Sequence, residues 1–99
     1  NNIFIRSQDK KRVVNYVGMS IGISSDSQPY SIFAYNNGRI LLGRYSTEEK
    51  AMKVLTKICT HIDDVFRSSV KEKEYTFEQI TTPVFQMPQD SEVYLQWLN

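Results

Sequence analysis

From Leu42 to Ser69 the chain reads LGRYSTEEKAMKVLTKICTHIDDVFRSS, its one long run of apolar residues spaced at threes and fours. At about 100° of rotation per residue, Ala51, Val54, Leu55, Ile58, Ile62, Val65, Phe66 and Ser69 fall on one side. Lys53, Thr56, Lys57, Thr60, Asp64 and Arg67 fall on the other, so the spacing predicts one long helix over 47–70. Ser46 is placed to cap it, and Glu49, three residues on, to reach back to the Ser46 N–H as a capping box. Glu48 and Glu49 also put negative charge at the positive end of the helix dipole. The apolar stripe requires a second layer to cover it.

Ahead of the helix the period drops to two. Ile3 to Arg6 reads as a first strand with Ile3 and Ile5 on one face, followed by turn formers and charge in Ser7-Gln8-Asp9-Lys10-Lys11. Arg12 to Val17 is rich in β-branched and aromatic residues, and Met19, Ile21 and Ile23 then alternate with Ser20, Gly22 and Ser24. Gly18, between these patterns, marks either a bulge bending one long strand or a tight turn separating two, and the bulge is favoured because no second turn former accompanies it. Ser24 to Pro29 is a loop by composition. Tyr30 to Tyr35 is a strand with Tyr30, Ile32 and Ala34 on one side and Phe33 and Tyr35 on the other. Asn36-Asn37-Gly38 predicts a type I′ hairpin turn into an antiparallel partner over Arg39 to Tyr45.

After the helix, Tyr75 and Phe77 alternate with Thr76 and Glu78, giving a short strand or extended connection over 75–80 that Thr81-Thr82-Pro83 ends. A last short apolar run over 84–87 lies between Pro83 and Pro88, which suits an edge strand. The tail over 91–99 holds Val93, Tyr94, Leu95, Trp97 and Leu98, too apolar to stand in water, and so packs on its own domain or on a second copy. The predicted architecture is one α+β domain over 1–99. An antiparallel β-meander of four to five strands within 3–45 packs on one long α-helix, and a short C-terminal strand adds at an edge.

Composition narrows the class. Ninety-nine residues suffice for a single two-layer core and exclude a second domain. Twelve basic residues against eleven acidic ones leave a net charge of +1, without the clustered basic excess of a sequence-independent nucleic-acid binder. A single cysteine, Cys59, allows no intrachain disulfide or thiolate-rich metal site and fits a reducing cytoplasm. No apolar run approaches the roughly 18 residues that span a bilayer, and the opening residues lack a signal-peptide layout. The expectation is a cytoplasmic protein without membrane contact.

Candidate chemistry is sparse. His61 and Asp64 are three apart on the helix, but spacing brings no nucleophile, metal ligand or orienting group to them, so His61 reads as a boundary histidine. Cys59 reads as a small packing residue. Asp63-Asp64 with Asp9, Asp26 and Asp90 does not form a calcium loop. The glycines do not open a helix after a strand, as a phosphate loop requires. No catalytic residue, metal ligand or cofactor is therefore nominated.

Two binding surfaces are nominated. Gln86, Met87, Gln89 and Asp90 form a polar and apolar mix beyond what ending a strand requires, and Val93 to Leu98 is more than one small core absorbs. Phe85, Gln86, Met87, Tyr94, Leu95 and Trp97 are therefore nominated as a contact surface for a homo-oligomer, a dimer, or another protein partner. Alternatively, Arg12, Tyr35 and Arg39 belong to basic and aromatic residues interleaved on strands, a pattern that holds single-stranded nucleic acid by phosphate contact and base stacking.

At R-S-Q-D-K-K (6–11), L-G-R-Y-S-T-E-E-K-A-M-K-V-L (42–55) and V-F-Q-M-P-Q-D-S-E-V (84–93) the chain resembles a group of small uncharacterised bacterial proteins. Their shared pattern is R-S-Q-D-K, L-G-x-Y-S-T-x-E-K-A-x-x-V-L and F-Q-M-P-Q-D-x-E-V. Such proteins occur in bacterial chromosomes and in phage-like or other mobile elements. The resemblance implies a cytoplasmic location and a link to phage or plasmid biology, and brings no activity, cofactor or catalytic residue with it.

Overall fold

The structure, a computed structural model, describes residues 3–24, 26, 30–72 and 84–97. The chain is α+β. Its strands are β1 (Phe4–Arg6), β2 (Val13–Asn15), β3 (Ser20–Ser24), β4 (Tyr30–Tyr35), β5 (Arg39–Tyr45) and β6 (Val84–Gln86), with α1 (Glu48–Glu72) before β6 and a 3-10 turn at Asp90–Glu92 after it. The anticipated segment over 75–80 lies outside the described residues.

The five strands before α1 do not form one meander. β3, β4 and β5 make an antiparallel three-stranded sheet, and a second sheet has the order β2-β1-β6. The division falls at Gly18, which is a turn and not a bulge. Met19 N–H donates to the Tyr16 carbonyl at 2.9 Å, and Gly18 has φ +83°, the third position of a type II turn. The second turn former is Asn15, whose side-chain oxygen accepts the Val17 N–H at 3.1 Å. β6 takes an edge, as its flanking prolines predict, but runs parallel to β1. A parallel neighbour needs a long crossover, supplied here by the other sheet and α1.

The β4–β5 hairpin pairs Tyr35 with Arg39, leaving a three-residue loop in place of the two-residue type I′ turn. Asn37 at φ 54° and Gly38 at φ 130° supply its left-handed conformations. Leu42 has no partner on β4, because Gly43 opposes Ile32 and Leu41 opposes Phe33. That bulge turns both Leu42 and Tyr45 into the core.

α1 is capped one residue later than the pattern indicates. Lys50 N–H donates to Thr47 Oγ1 at 3.1 Å, while Ser46 bonds elsewhere. Ala51, Val54 and Ile58 join Ile5 and Val14 from one sheet, Ile32, Ala34, Leu42 and Tyr45 from the other, and Met87 and Val93 from the carboxy-terminal segment in one core. Phe66, assigned to the stripe, is instead half exposed, whereas Val65 is buried.

As far as Trp97, the tail lies on the helix of its own domain. Val93 is buried, Trp97 packs against the core, and the Trp97 carbonyl accepts Lys53 Nζ at 2.7 Å. Lys57 Nζ stands 4.8 Å from the Trp97 ring centroid. The flank carrying Lys53 and Lys57, assigned to water by the pattern, is therefore half covered.

Candidate functional site

Two places concentrate the side chains of interest: a polar junction joining three distant segments, and the outer face of the β3–β4–β5 sheet.

The junction begins at the turn after β1. Ser7 Oγ donates to Asp9 Oδ1 at 2.6 Å, Lys11 N–H donates to the same oxygen at 2.9 Å, and Lys10 takes φ 66°. The Ser7 hydroxyl first, and then the Lys11 amide, hold the exposed Asp9 carboxyl below its ordinary value. This rigid turn presents Gln8 to β5 as though it were a neighbouring strand. Arg44 N–H donates to Gln8 Oε1 at 2.9 Å, and Gln8 Nε2 donates to the Arg44 carbonyl at 3.0 Å and the Pro88 carbonyl at 3.2 Å. Gln8 N–H donates to the Leu42 carbonyl at 2.7 Å, and Gln89 Nε2 donates to the Gln8 carbonyl at 2.8 Å.

Gly43 makes that approach possible. A Cβ there would lie 3.0 Å from Tyr45 Oη and 3.3 Å from Gln8 Cβ, so any larger residue would push both away. Tyr45 is wholly buried, and its hydroxyl donates to the Pro88 carbonyl at 2.7 Å. Burial first, with the nearby Asp90 and Glu92 carboxylates adding to it, pushes the phenol well above its ordinary value and keeps it a neutral donor. Asp90 completes the junction by accepting Ser46 N–H at 2.8 Å and Ser46 Oγ at 3.1 Å, with Lys50 Nζ at 3.4 Å from its other oxygen. The Ser46 backbone bond leads in holding this carboxyl below its ordinary value, and Lys50 adds to it. These groups are spent on one another, fastening the β1 turn, the β5–α1 corner and the 86–90 segment together.

The outer sheet face is different. β4 turns Phe33 and Tyr35 away from the core that Ile32 and Ala34 enter. Their ring centroids are 6.1 Å apart, and the Arg39 guanidinium carbon lies 4.3 Å from the Phe33 centroid. Leu41 opposes Phe33 from β5, Gly22 opposes it from β3, and the Tyr35 ring lies 3.7 Å from where a Gly22 Cβ would stand. Tyr35 and Leu41 are both exposed.

The nominated residues divide accordingly. Tyr35 and Arg39 are cross-strand neighbours, but Arg12 stands in the turn before β2 and belongs to the other sheet. Met87 is 1% exposed, and its N–H donates to the Arg6 carbonyl at 3.0 Å. Gln86 Nε2 donates to the Ser7 carbonyl at 2.9 Å and the Met87 carbonyl at 3.0 Å, so Met87 is buried and the half-buried Gln86 bonds within the chain. Phe85 packs edge-on against His61, whose Nε2 is buried without a hydrogen-bond partner among the described residues. Tyr94 and Leu95 are exposed beside Trp97. Phe33 and Leu41 escape nomination because alternation alone does not distinguish an outer face that a partner covers from one that water covers. Gln8 escapes because nothing local marks it as a hub.

Among the described residues, no three histidine, cysteine or carboxylate side chains group as metal ligands, and no helix is long and apolar enough to cross a membrane. Comparison with protein-family models, curated proteins and solved structures finds no match to this chain.

Proposed function

We propose that this protein is a non-enzymatic, cytoplasmic interaction module that self-associates through an open sheet edge. The observation carrying the reading is the β3–β4–β5 sheet. One of its faces enters the core, the other holds Tyr35 and Leu41 at the surface beside an Arg39 stacked on Phe33, and β3 has no strand on its outer side among the described residues. Aromatic residues and arginine dominate interface energetics, and an uncovered edge offers backbone donors and acceptors to a further strand. The convergent polar side chains of the junction support association over chemistry, since their hydrogen bonds are already made within the chain. The tail contributes Tyr94 and Leu95 at most, because Val93 and Trp97 are engaged on the domain itself. Sedimentation equilibrium from about 1 to 100 μM, which populates any dimer with a Kd near 10 μM, tests the reading. A rise from monomer to dimer mass is expected, and a monomer throughout refutes it.

A second reading is favoured by Arg39, Phe33 and Tyr35 lying together, the elements of a base-stacking platform. It predicts binding of single-stranded nucleic acid that weakens steeply with salt. Fluorescence anisotropy showing no binding at about 50 mM salt ends it.

A further inference from the structure

From Val13 to Ser25 the chain holds no charged residue and no proline, and β3, in the second half of that span, is Ser-Ile-Gly-Ile-Ser, the same in both directions. We infer that β3 pairs with β3 of a second copy, antiparallel, about a two-fold axis through Gly22. The inference rests on the self-associating reading above and names the surface that reading leaves open.

Geometry selects this register. A two-fold axis that makes two edge strands antiparallel stands perpendicular to the sheet, so residues facing one side in one copy face the same side in the other. Centring the axis on Gly22 pairs all five residues, Ser20 with Ser24 of the second copy, Ile21 with Ile23, and Gly22 with Gly22. Ile21 and Ile23, which oppose the core residues Ala34 and Ile32 on β4, are half buried in the single chain and would extend the apolar layer across the join. Ser20, Gly22 and Ser24 alternate with them and give the opposite side a surface without bulk.

Charge points to a second copy as the occupant. About a two-fold axis, a charge near the centre of an edge strand meets its own kind, a repulsion that natural edges use to stay unpaired. β3 carries no such charge, no proline and no bulge against β4. A strand built to receive a basic or acidic peptide from another protein would gain from a complementary charge, and β3 offers none.

Gly22 is the test position. No positive φ constrains it, and among the described residues its Cβ direction meets only the Tyr35 ring, at ordinary contact distance, so side chains are accommodated there without disturbing the fold. Gly22→Lys and Gly22→Glu should each raise the dimer Kd by about tenfold or more, and mixing the two should restore association. In a Cys59→Ser background, Gly22→Cys should form an interchain disulfide on mild oxidation, because directly opposed residues lie about 4.5–5.5 Å apart. Ser20→Cys should not, since Ser20 faces Ser24 of the second copy and the two Ser20 positions stand roughly 13 Å apart. Circular dichroism on each variant confirms that it folds, and the crosslinking pair reads the register without adding charge. A wild-type dimer that tolerates both charged variants and does not crosslink at Gly22 overturns this interface while leaving self-association standing. A wild-type chain that remains monomeric overturns both, and one that binds a foreign strand at β3 but not itself overturns the choice of occupant.

Discussion

Removing the Gln8 side chain tests whether the polar junction holds the fold together. Gln8→Ala deletes the bonds to Arg44 N–H, the Arg44 carbonyl and the Pro88 carbonyl, while the two backbone bonds of residue 8 remain available. At about 0.5–1.5 kcal/mol each, three bonds give an upper range of about 1.5–4.5 kcal/mol. Arg44 is exposed and its backbone can be rehydrated, and the Pro88 carbonyl keeps the Tyr45 hydroxyl. The expected loss is therefore about 2 kcal/mol, read as a fall of about 1–2 M in the urea midpoint at unchanged slope. Tyr45→Phe alone should cost about 1 kcal/mol, since the same carbonyl keeps Gln8. The double variant orphans that carbonyl, so its loss should exceed the sum of the two single losses by about 1 kcal/mol. Simple additivity, or a Gln8→Ala loss below about 0.5 kcal/mol, refutes the shared-acceptor argument.

Asp90 has a depressed pKa, so its contribution is present above its ordinary value of 3.8 and is lost as pH falls through the lower folded value. Asp90→Asn should accordingly lower the melting temperature at pH 7, with the gap to wild type narrowing on acidification in a thermal-melt series. Trp97→Ala should cost about 1–3 kcal/mol in urea unfolding, because it strips the ring from the helix flank at Lys53 and Lys57, whereas Leu95→Ala, on the exposed side of the tail, should stay within about 0.5 kcal/mol. Thr47→Ala should cost about 1 kcal/mol of stability as the loss of the helix cap, and Glu49→Ala should cost far less, the reverse of what a capping box at Ser46 requires. Gly18→Ala should destabilise by about 1 kcal/mol in the same assay, since alanine is strained at its positive φ.

The amphipathic helix, the β4–β5 hairpin and the edge placement of β6 were legible because each rests on a local signal: a period near 3.6, Asn-Asn-Gly, and paired prolines. The division into two sheets was not. It depends on Asn15, an unremarkable strand residue until its side chain is seen to accept the N–H two positions on. The parallel seating of β6 depends on where the chain has been in the intervening 77 residues, from Arg6 to Val84, which no window of sequence reports. Ser46 fits a cap by spacing, yet Asp90, forty-four residues away, takes both its amide and its hydroxyl. The junction was visible only as three separate stretches of sequence, 6–11, 42–55 and 84–93. Their meeting in one hydrogen-bonded cluster gives those residue types a structural reason, with Met87 buried and the Gln86 amide bonded to the Ser7 and Met87 carbonyls.

The strand edges of this fold are not managed alike. β5 is met by Gln8, whose backbone and side chain bond the Leu42 and Arg44 main-chain groups, and it carries Arg39 and Arg44. β2 follows Lys10-Lys11-Arg12, and β6 lies between Pro83 and Pro88. Charge, proline and covering side chains are the ordinary means of keeping a strand from pairing with a stranger. Among the described residues β3 has none of them, although it borders a sheet whose outer face already gathers Phe33, Tyr35 and Leu41. Among the described residues the other edges are guarded and β3 is not, a contrast that supports β3 as the proposed association surface, and it is the strand whose sequence complements itself.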